Sequence, residues 1–137
     1  MNRIQHATAL LVCALPLTVG NALAAGLAGS EWRPVIVTQE DWPPDVDAFV
    51  RFEGEGRLAG HGGCNRFFGG YDIADQTLTR GHVGITKMAC PEPAMGAENL
   101  LLDSLAKTRS FQRDGTELML LDEAGDPIAS FVQTDWD

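Results

Sequence analysis

Residues 48–61 read AFVRFEGEGRLAGH, in which two alternating segments flank a glycine-containing turn. Successive side chains of a strand point to opposite faces, so Phe49 and Arg51 would share one face and Val50 and Phe52 the other. The EGEG segment at 53–56 is typical of a turn, after which the chain would return as a second strand. This stretch therefore predicts an antiparallel β-hairpin.

The segments on both sides of this hairpin predict further strands. Trp32–Val37 is rich in β-branched and aromatic residues, and Pro34 predicts that this strand lies at an edge of the sheet. Residues 67–71 begin another strand, and residues 78–85 indicate one or two more. Residues 39–47 contain two prolines and four acids, and we expect an irregular polar loop there.

The C-terminal half predicts one helix followed by a β-meander. Between Pro93 and Lys107 the apolar residues recur at helical spacing. Turns at Asp114-Gly115 and around Gly125 then separate three short alternating segments. The whole chain is predicted to be an α+β domain. We expect a small antiparallel curled sheet or partly open β-barrel of about seven or eight short strands with one helix packed on it.

The first 24 residues have the layout of a secretory signal peptide. Arg3 supplies a positive start, residues 7–19 are uncharged and mostly apolar, and Ala22-Leu23-Ala24 is a small-x-small cleavage site. The apolar run is shorter than the roughly 20 residues of a membrane-spanning helix. We expect residues 1–24 to be removed and residues 25–137 to form a single domain that is periplasmic or secreted, without a transmembrane anchor.

Cys13 lies inside the apolar run, preceded by Val12 and followed by more apolar residues, which is not the layout of a lipoprotein signal. We expect it to be lost on cleavage. Arg3 is the one charged residue removed, so nine Lys and Arg remain against 19 Asp and Glu, a net charge of −10. An acidic surface repels phosphate backbones, so nucleic acid is not an expected partner.

Two further segments carry a family resemblance. Residues 60–71, GHGGCNRFFGGY, resemble the Gly-Cys-Asn-Arg…Tyr signature of the META domain family, which includes HslJ-like heat-shock proteins. Residues 85–91, ITKMACP, resemble the family's Thr-x-Met-Ala-Cys segment, and Glu98–Leu105 is similar to the helix that follows it. The resemblance covers about Leu27 to Val132. It implies a small barrel-like domain of the cell envelope with no agreed enzymatic activity, cofactor or ligand.

The resemblance also implies an association with heat shock, antibiotic tolerance and, in some parasites, virulence or secretion. The positions that match the family motif are expected to be structural: Gly63, Asn65, Arg66, Tyr71, Thr86, Met88 and Glu98. We expect Met88 to pack in the core and Thr86 to satisfy a backbone group. Glu98 is either an exposed charge in the first turn of the helix or a buried anchor for the backbone amides of the Gly-Cys-Asn corner.

Cys64 and Cys90 are the two cysteines that would survive cleavage in an oxidising compartment, and we expect a disulfide between them. On the chain-entropy model, closing a loop of this length stabilises the fold by roughly 3.5 kcal/mol. The main alternative is a pair of reduced, buried thiols. Two further alternatives remain open. A thiolate nucleophile would need a base such as His61 or His82, and zinc would need both histidines with both cysteines. For the nucleophile, a third group that would orient the base is not visible in the sequence, and the ligand spacing does not match structural zinc sites. We therefore predict no catalytic residue, metal or cofactor.

We expect seven aromatic residues of the chain that remains after cleavage to lie in the core: Trp32, Phe49, Phe52, Phe67, Phe68, Phe111 and Phe131. If the barrel is incompletely filled, some of them would line an apolar cavity. The predicted function is a non-enzymatic envelope module that binds an unknown envelope protein or acts in stress tolerance as a monomer. The alternatives are a small barrel that carries a lipid or hydrophobic peptide, and a thiol-dependent enzyme.

Overall fold

The computed structural model describes residues 26–134, which form a closed antiparallel barrel with one helix. The predicted α+β barrel is confirmed, and the barrel is fully closed. In chain order the elements are β1 (Ser30–Val37), β2 (Glu40–Asp41), β3 (Phe49–Phe52), β4 (Arg57–His61), β5 (Arg66–Ala74), β6 (Thr77–Ile85), α1 (Ala94–Lys107), β7 (Ser110–Asp114), β8 (Glu117–Leu121) and β9 (Pro127–Thr134). The strands pair in the order β2-β1-β3-β4-β5-β6-β7-β8-β9, and pairing of β1 with β9 closes the ring.

The first strand is central, so the prediction that Pro34 marks an edge strand is wrong. β1 pairs with β3 through Ser30–Trp32 and with β9 through most of its length. Pro34 is tolerated because the β3 ladder ends at Trp32 and a bulge interrupts the β9 ladder between Pro34 and Ile36. A residue without an amide hydrogen fits at such a local break in the ladder.

The segment predicted as one or two short strands is the single nine-residue strand β6. Its register against β5 shifts between Gly69 and Tyr71, which pair with Val83 and Arg80. At this bulge a side chain on Gly69 would meet the His82 carbonyl oxygen at 2.1 Å, so the close approach of the two backbones requires glycine. The bulge bends the two longest strands around the barrel.

The weakest junction of the barrel lies between β6 and β7. Thr77 and Ser110 form its one paired position, and two further backbone bonds flank it, from Leu78 N to Arg109 O and from Phe111 N to Gln76 O. The connection between these two strands is α1, which contacts β1, β6 and β9. Leu101 and Leu105 of α1 belong to the same buried cluster as the barrel residues. No helix in the described part of the chain is long and apolar enough to cross a membrane.

The barrel interior is filled by side chains. Five of the aromatics expected in the core are fully buried there: Trp32, Phe52, Phe67, Phe111 and Phe131. The inner space bordered by Phe52, Leu58 and Leu105 measures about 10 Å³, which is room for about one water molecule.

Two aromatics depart from the core prediction. Phe49 is half-buried, and 58% of Phe68 is exposed. Because Phe67 faces the interior, the alternation of β5 turns Phe68 outward. Its ring lies over Gly84, where a side chain would meet Phe68 Cε2 at 2.9 Å.

Tyr71 joins β5 to the end of β3. Its ring packs edge-on against Phe52 with centroids 5.1 Å apart, and its hydroxyl donates a hydrogen bond to the Glu53 carbonyl. Burial, followed by the negative charge of Glu53, raises the pKa of Tyr71 above its usual 10.0. The neutral hydroxyl is thus the form that the fold stabilises.

Tyr71 is the one tyrosine in the chain, so its ionisation can be followed by tyrosinate absorbance. We expect a midpoint above 10.0 in the folded protein and near 10 in denaturant. The stability that arises from the raised pKa is present below the unfolded value and is lost as pH rises through the folded value. Tyr71→Phe should cost about 1 kcal/mol at neutral pH and remove this alkaline dependence. Equal midpoints in both states would contradict the assignment.

Candidate functional site

The two motif segments lie side by side and are joined to α1. Cys64 follows β4 and Cys90 precedes α1, and the two form a disulfide with their Cα atoms 5.9 Å apart. The expected disulfide is therefore present in the structure. It ties the Gly-Cys-Asn corner to the entry of the helix, and neither sulfur remains as a thiol.

Glu98 is the centre of this site. Its side chain projects from the second turn of α1 and is 2% exposed, so it is the buried anchor and not an exposed first-turn charge. Its Oε1 accepts hydrogen bonds from the backbone amides of Cys64, at 3.1 Å, and Asn65. Its Oε2 accepts one from Asn65 Nδ2 at 2.8 Å. Hydrogen-bond donors rather than a cation thus compensate the burial of this carboxyl group within the described residues.

The amide of Asn65 links Glu98 to the second motif segment. Its Oδ1 accepts hydrogen bonds from Thr86 Oγ1 at 2.9 Å and from the Met88 amide at 2.6 Å. Its Nδ2 donates to the Met88 carbonyl at 3.1 Å as well as to Glu98. These bonds use both hydrogens and both lone-pair positions of the amide, so Asn65 has no polar capacity left for a ligand.

Two glycines make room for these contacts. A side chain on Gly62 would meet Glu98 Cγ at 2.4 Å, so the carboxyl group reaches the corner because glycine is there. Gly63 has a φ of 118°, and a side chain there would meet Val46 Cγ1 at 2.5 Å. The glycines before Cys64 therefore serve packing and backbone conformation.

The remaining motif residues have separate positions. Thr86 Oγ1 accepts the Arg66 amide hydrogen at 3.1 Å, a backbone-satisfying contact of the expected kind, while the Arg66 side chain is exposed. The prediction that Met88 packs in the core is wrong, since 56% of it is exposed. Asn65 holds Met88 by its backbone amide and carbonyl, which leaves the side chain free to face solvent. Tyr71 lies on β5 against Phe52, outside this network.

The two histidines of the described residues have different surroundings. His61 Nδ1 accepts a hydrogen bond from the Gly63 amide at 3.1 Å, and His82 is exposed at the bulge of β6. Across residues 26–134 no group of three or more His, Cys, Asp or Glu side chains is placed to hold a metal ion. Polar side chains of the two motif segments and of α1 instead form hydrogen bonds with one another, as Asn65 does with Thr86 and Glu98.

Two grooves on the outside of the barrel were missed by sequence reasoning. The first, of about 570 Å³, lies over β1 and β7–β9 and is bordered by the apolar side chains of Val35, Met119 and Val132. The second, of about 430 Å³, lies between the β1–β2 hairpin and α1. The pair Trp42-Pro43, inside a segment predicted to be a polar loop, was the one sequence signal for this second groove.

We call the second cleft the hairpin groove. Val37 and Ala97 are buried at its base, Trp42 and Leu100 are half-buried, and exposed acids stand around it. Trp42 is fixed by a hydrogen bond from Nε1 to the Val46 carbonyl at 2.7 Å. The exposed acids are Glu40, Asp41 and Glu92.

A polarity swap tests the hydrogen-bond pattern of the site. Glu98→Gln should destabilise the fold by about 2–3 kcal/mol in urea unfolding, because an amide offers an N–H group where acceptors are needed. Asn65→Asp should also destabilise the fold, because a carboxylate oxygen would then face the Met88 carbonyl and the Glu98 carboxylate, both of which are acceptors. In the double variant the new amide at position 98 can donate to the new carboxylate at position 65, so we expect the combined loss to be smaller than the sum by about 1 kcal/mol or more. Asn99→Asp, on the exposed face of α1, is the control. Strict additivity of the two changes would contradict the geometry.

Comparisons with known proteins identify the family and agree with the fold. The family model described as META domain matches residues 25–135. An NMR structure of a protein from Burkholderia xenovorans is similar over 80% of this chain and 85% of its own, with TM-score 0.65 and 24% identity. A crystal structure of a DUF4847 family protein from Bacteroides vulgatus covers 81% of this chain and 96% of its own, with TM-score 0.57 and 17% identity. No curated protein matches the sequence. The extent of the family match establishes that this chain belongs to the META domain family.

Proposed function

We propose that this protein is an exported, non-enzymatic domain of the cell envelope that acts by binding at its outer surface and contributes to stress or antibiotic tolerance. The observation that carries the proposal is the closed network around Glu98. Cys64 is bonded to Cys90, and Asn65 has all its polar positions occupied within the fold. The motif thus presents no thiol nucleophile with a base and an orienting group, which nucleophilic catalysis would require.

Export is supported by the composition of the N-terminal segment and by the disulfide. Residues 1–24 and Cys13 lie outside the described residues, so the signal peptide rests on the sequence pattern. A disulfide that joins two separate segments persists in an oxidising compartment and is rare in the cytosol. Both features favour a periplasmic or secreted protein.

A second candidate function is that of a carrier whose hydrophobic ligand binds on the outside of the barrel. The space of about 10 Å³ beside Phe52 and Leu58 does not admit an acyl chain, which favours a site on the outside of the barrel for a hydrophobic ligand. The groove over β7–β9 favours this second candidate, because Val35 and Val132 expose 40% and 42% of their surface along its border. An outer groove of about 570 Å³ falls in the size range of small-molecule sites.

Thiol titration tests the disulfide that underlies the proposal. Protein purified from its native compartment and unfolded without reductant should titrate no thiol, and reductant should release two. Reduction should also lower the free energy of unfolding by roughly 3.5 kcal/mol. Two titrating thiols before reduction would contradict the disulfide and revive the thiol-dependent enzyme.

A growth assay tests the function. A strain without the gene should grow poorly under heat or envelope-directed antibiotics, and the wild-type protein should restore growth. Cys64→Ser/Cys90→Ser should also restore growth at a temperature where immunoblotting shows equal amounts of protein. Failure of this folded variant would point to cysteine chemistry. Equal growth with and without the gene under every stress would contradict the tolerance role.

A further inference from the structure

We propose that the hairpin groove binds an extended segment of a partner protein in which a basic residue neighbours a large apolar residue. The inference rests on the proposed binding function and names its site and partner chemistry. It follows from three properties of the groove: its apolar base, the sign of its charges and the open strand edge beside it.

The base of the groove offers a preformed apolar contact. Trp42 and Leu100 line the groove as partly exposed apolar side chains, together with the buried Val37 and Ala97. Trp42 is held by its indole bond to Val46 and by its amide bond to the Val35 carbonyl at 2.9 Å. A half-exposed tryptophan in a fixed orientation can receive an apolar side chain with little loss of conformational entropy.

The charges around the base are all of one sign. Glu40, Asp41 and Glu92 line the groove, and no lysine, arginine or histidine is among its lining residues. Glu92 is held in place by the Gly96 amide, which donates to its Oε2 at 2.9 Å. A cationic ligand gains here from the local acids and from the net negative charge of the chain. An anionic lipid surface or a phosphate backbone is repelled by both.

The strand edge favours an extended peptide over a small cation. β2 is the edge strand of the sheet and pairs with β1 alone. Val37 pairs with Glu40, and Trp42 N–H bonds to the Val35 carbonyl. Alternate residues of an antiparallel strand bond to the same neighbour, so the backbone groups of Asp41 point away from β1. A partner strand can therefore pair with Asp41 while its side chains reach Trp42 and the acids.

Binding to the mature protein can be measured by calorimetry with two synthetic peptides. One alternates lysine with leucine around a central phenylalanine, and the other has glutamate in place of lysine. We expect saturable binding of the lysine peptide alone. Glu40→Lys/Asp41→Lys should weaken it by about tenfold or more. Asp72→Lys/Glu123→Lys makes the same charge change at exposed positions on β5 and in the β8–β9 turn, and it should weaken binding by less than about threefold. Unchanged thermal unfolding would show that both variants are folded.

Several outcomes would overturn the inference. Equal binding of the two peptides would show that charge does not select the partner. Equal weakening of binding by both double variants would show that the net charge of the protein, and not the acids of the groove, determines the affinity. Binding that survives Glu40→Lys/Asp41→Lys but is lost in Val132→Lys would place the partner in the other groove and leave the proposed function intact. Absence of binding to either peptide would also overturn this site, whereas the growth assay judges the proposed function separately.

Discussion

The carboxyl group of Glu98 holds together the parts of this fold that the strand ladders leave weakly connected. The barrel is continuous from β1 through β6, but β6 and β7 share a single paired position. The helix connecting them must therefore be fixed by other contacts. Glu98 fixes it by binding two backbone amides at the corner between β4 and β5, and the disulfide fixes its entry to the same corner. Both contacts join segments 26 or more positions apart in the chain, so each of them must offset the entropy of closing a long loop.

Much of the architecture followed from local sequence patterns. The hairpin at 48–61, the helix after Pro93 and the meander after Asp114 have the periodicity and turn residues that their structures require. The closure of the barrel could not be derived in this way, because it depends on pairing between β1 and β9, the first and last strands. The burial of Glu98 was left open for a related reason. A glutamate on a helix is normally exposed, and only the three-dimensional position of Gly62 shows that the corner has room for it.

The predictions that failed share a physical origin. Pro34, Phe68 and Met88 were interpreted from residue type, whereas their environments are set by neighbouring segments. Proline is allowed in β1 because the adjacent ladder stops two residues earlier. Phe68 is exposed because Phe67 takes the inward position, and Met88 because Asn65 binds its backbone. Residue type predicts how often a side chain is buried on average, whereas strand register determines which side chains of a given strand face the interior.

A network of mutual hydrogen bonds accounts for Asn65, Thr86 and Glu98 of the motif, but it leaves the role of the β1–β2 hairpin unexplained. Thr38 and Gln39, the two residues of its turn, have φ values of 51° and 65°. Such values are unfavourable for residues other than glycine, asparagine and aspartate, and they cost about 1–3 kcal/mol each. The strand held by this turn is two residues long and takes no part in closing the barrel. Its structural effect is to place Glu40, Asp41 and Trp42 along the hairpin groove, beside α1. Positive φ values at both turn residues are what a two-residue hairpin requires. Besides packing Trp42 against the core, the hairpin forms one wall of the charged apolar groove, and this wall supports the recognition role proposed above.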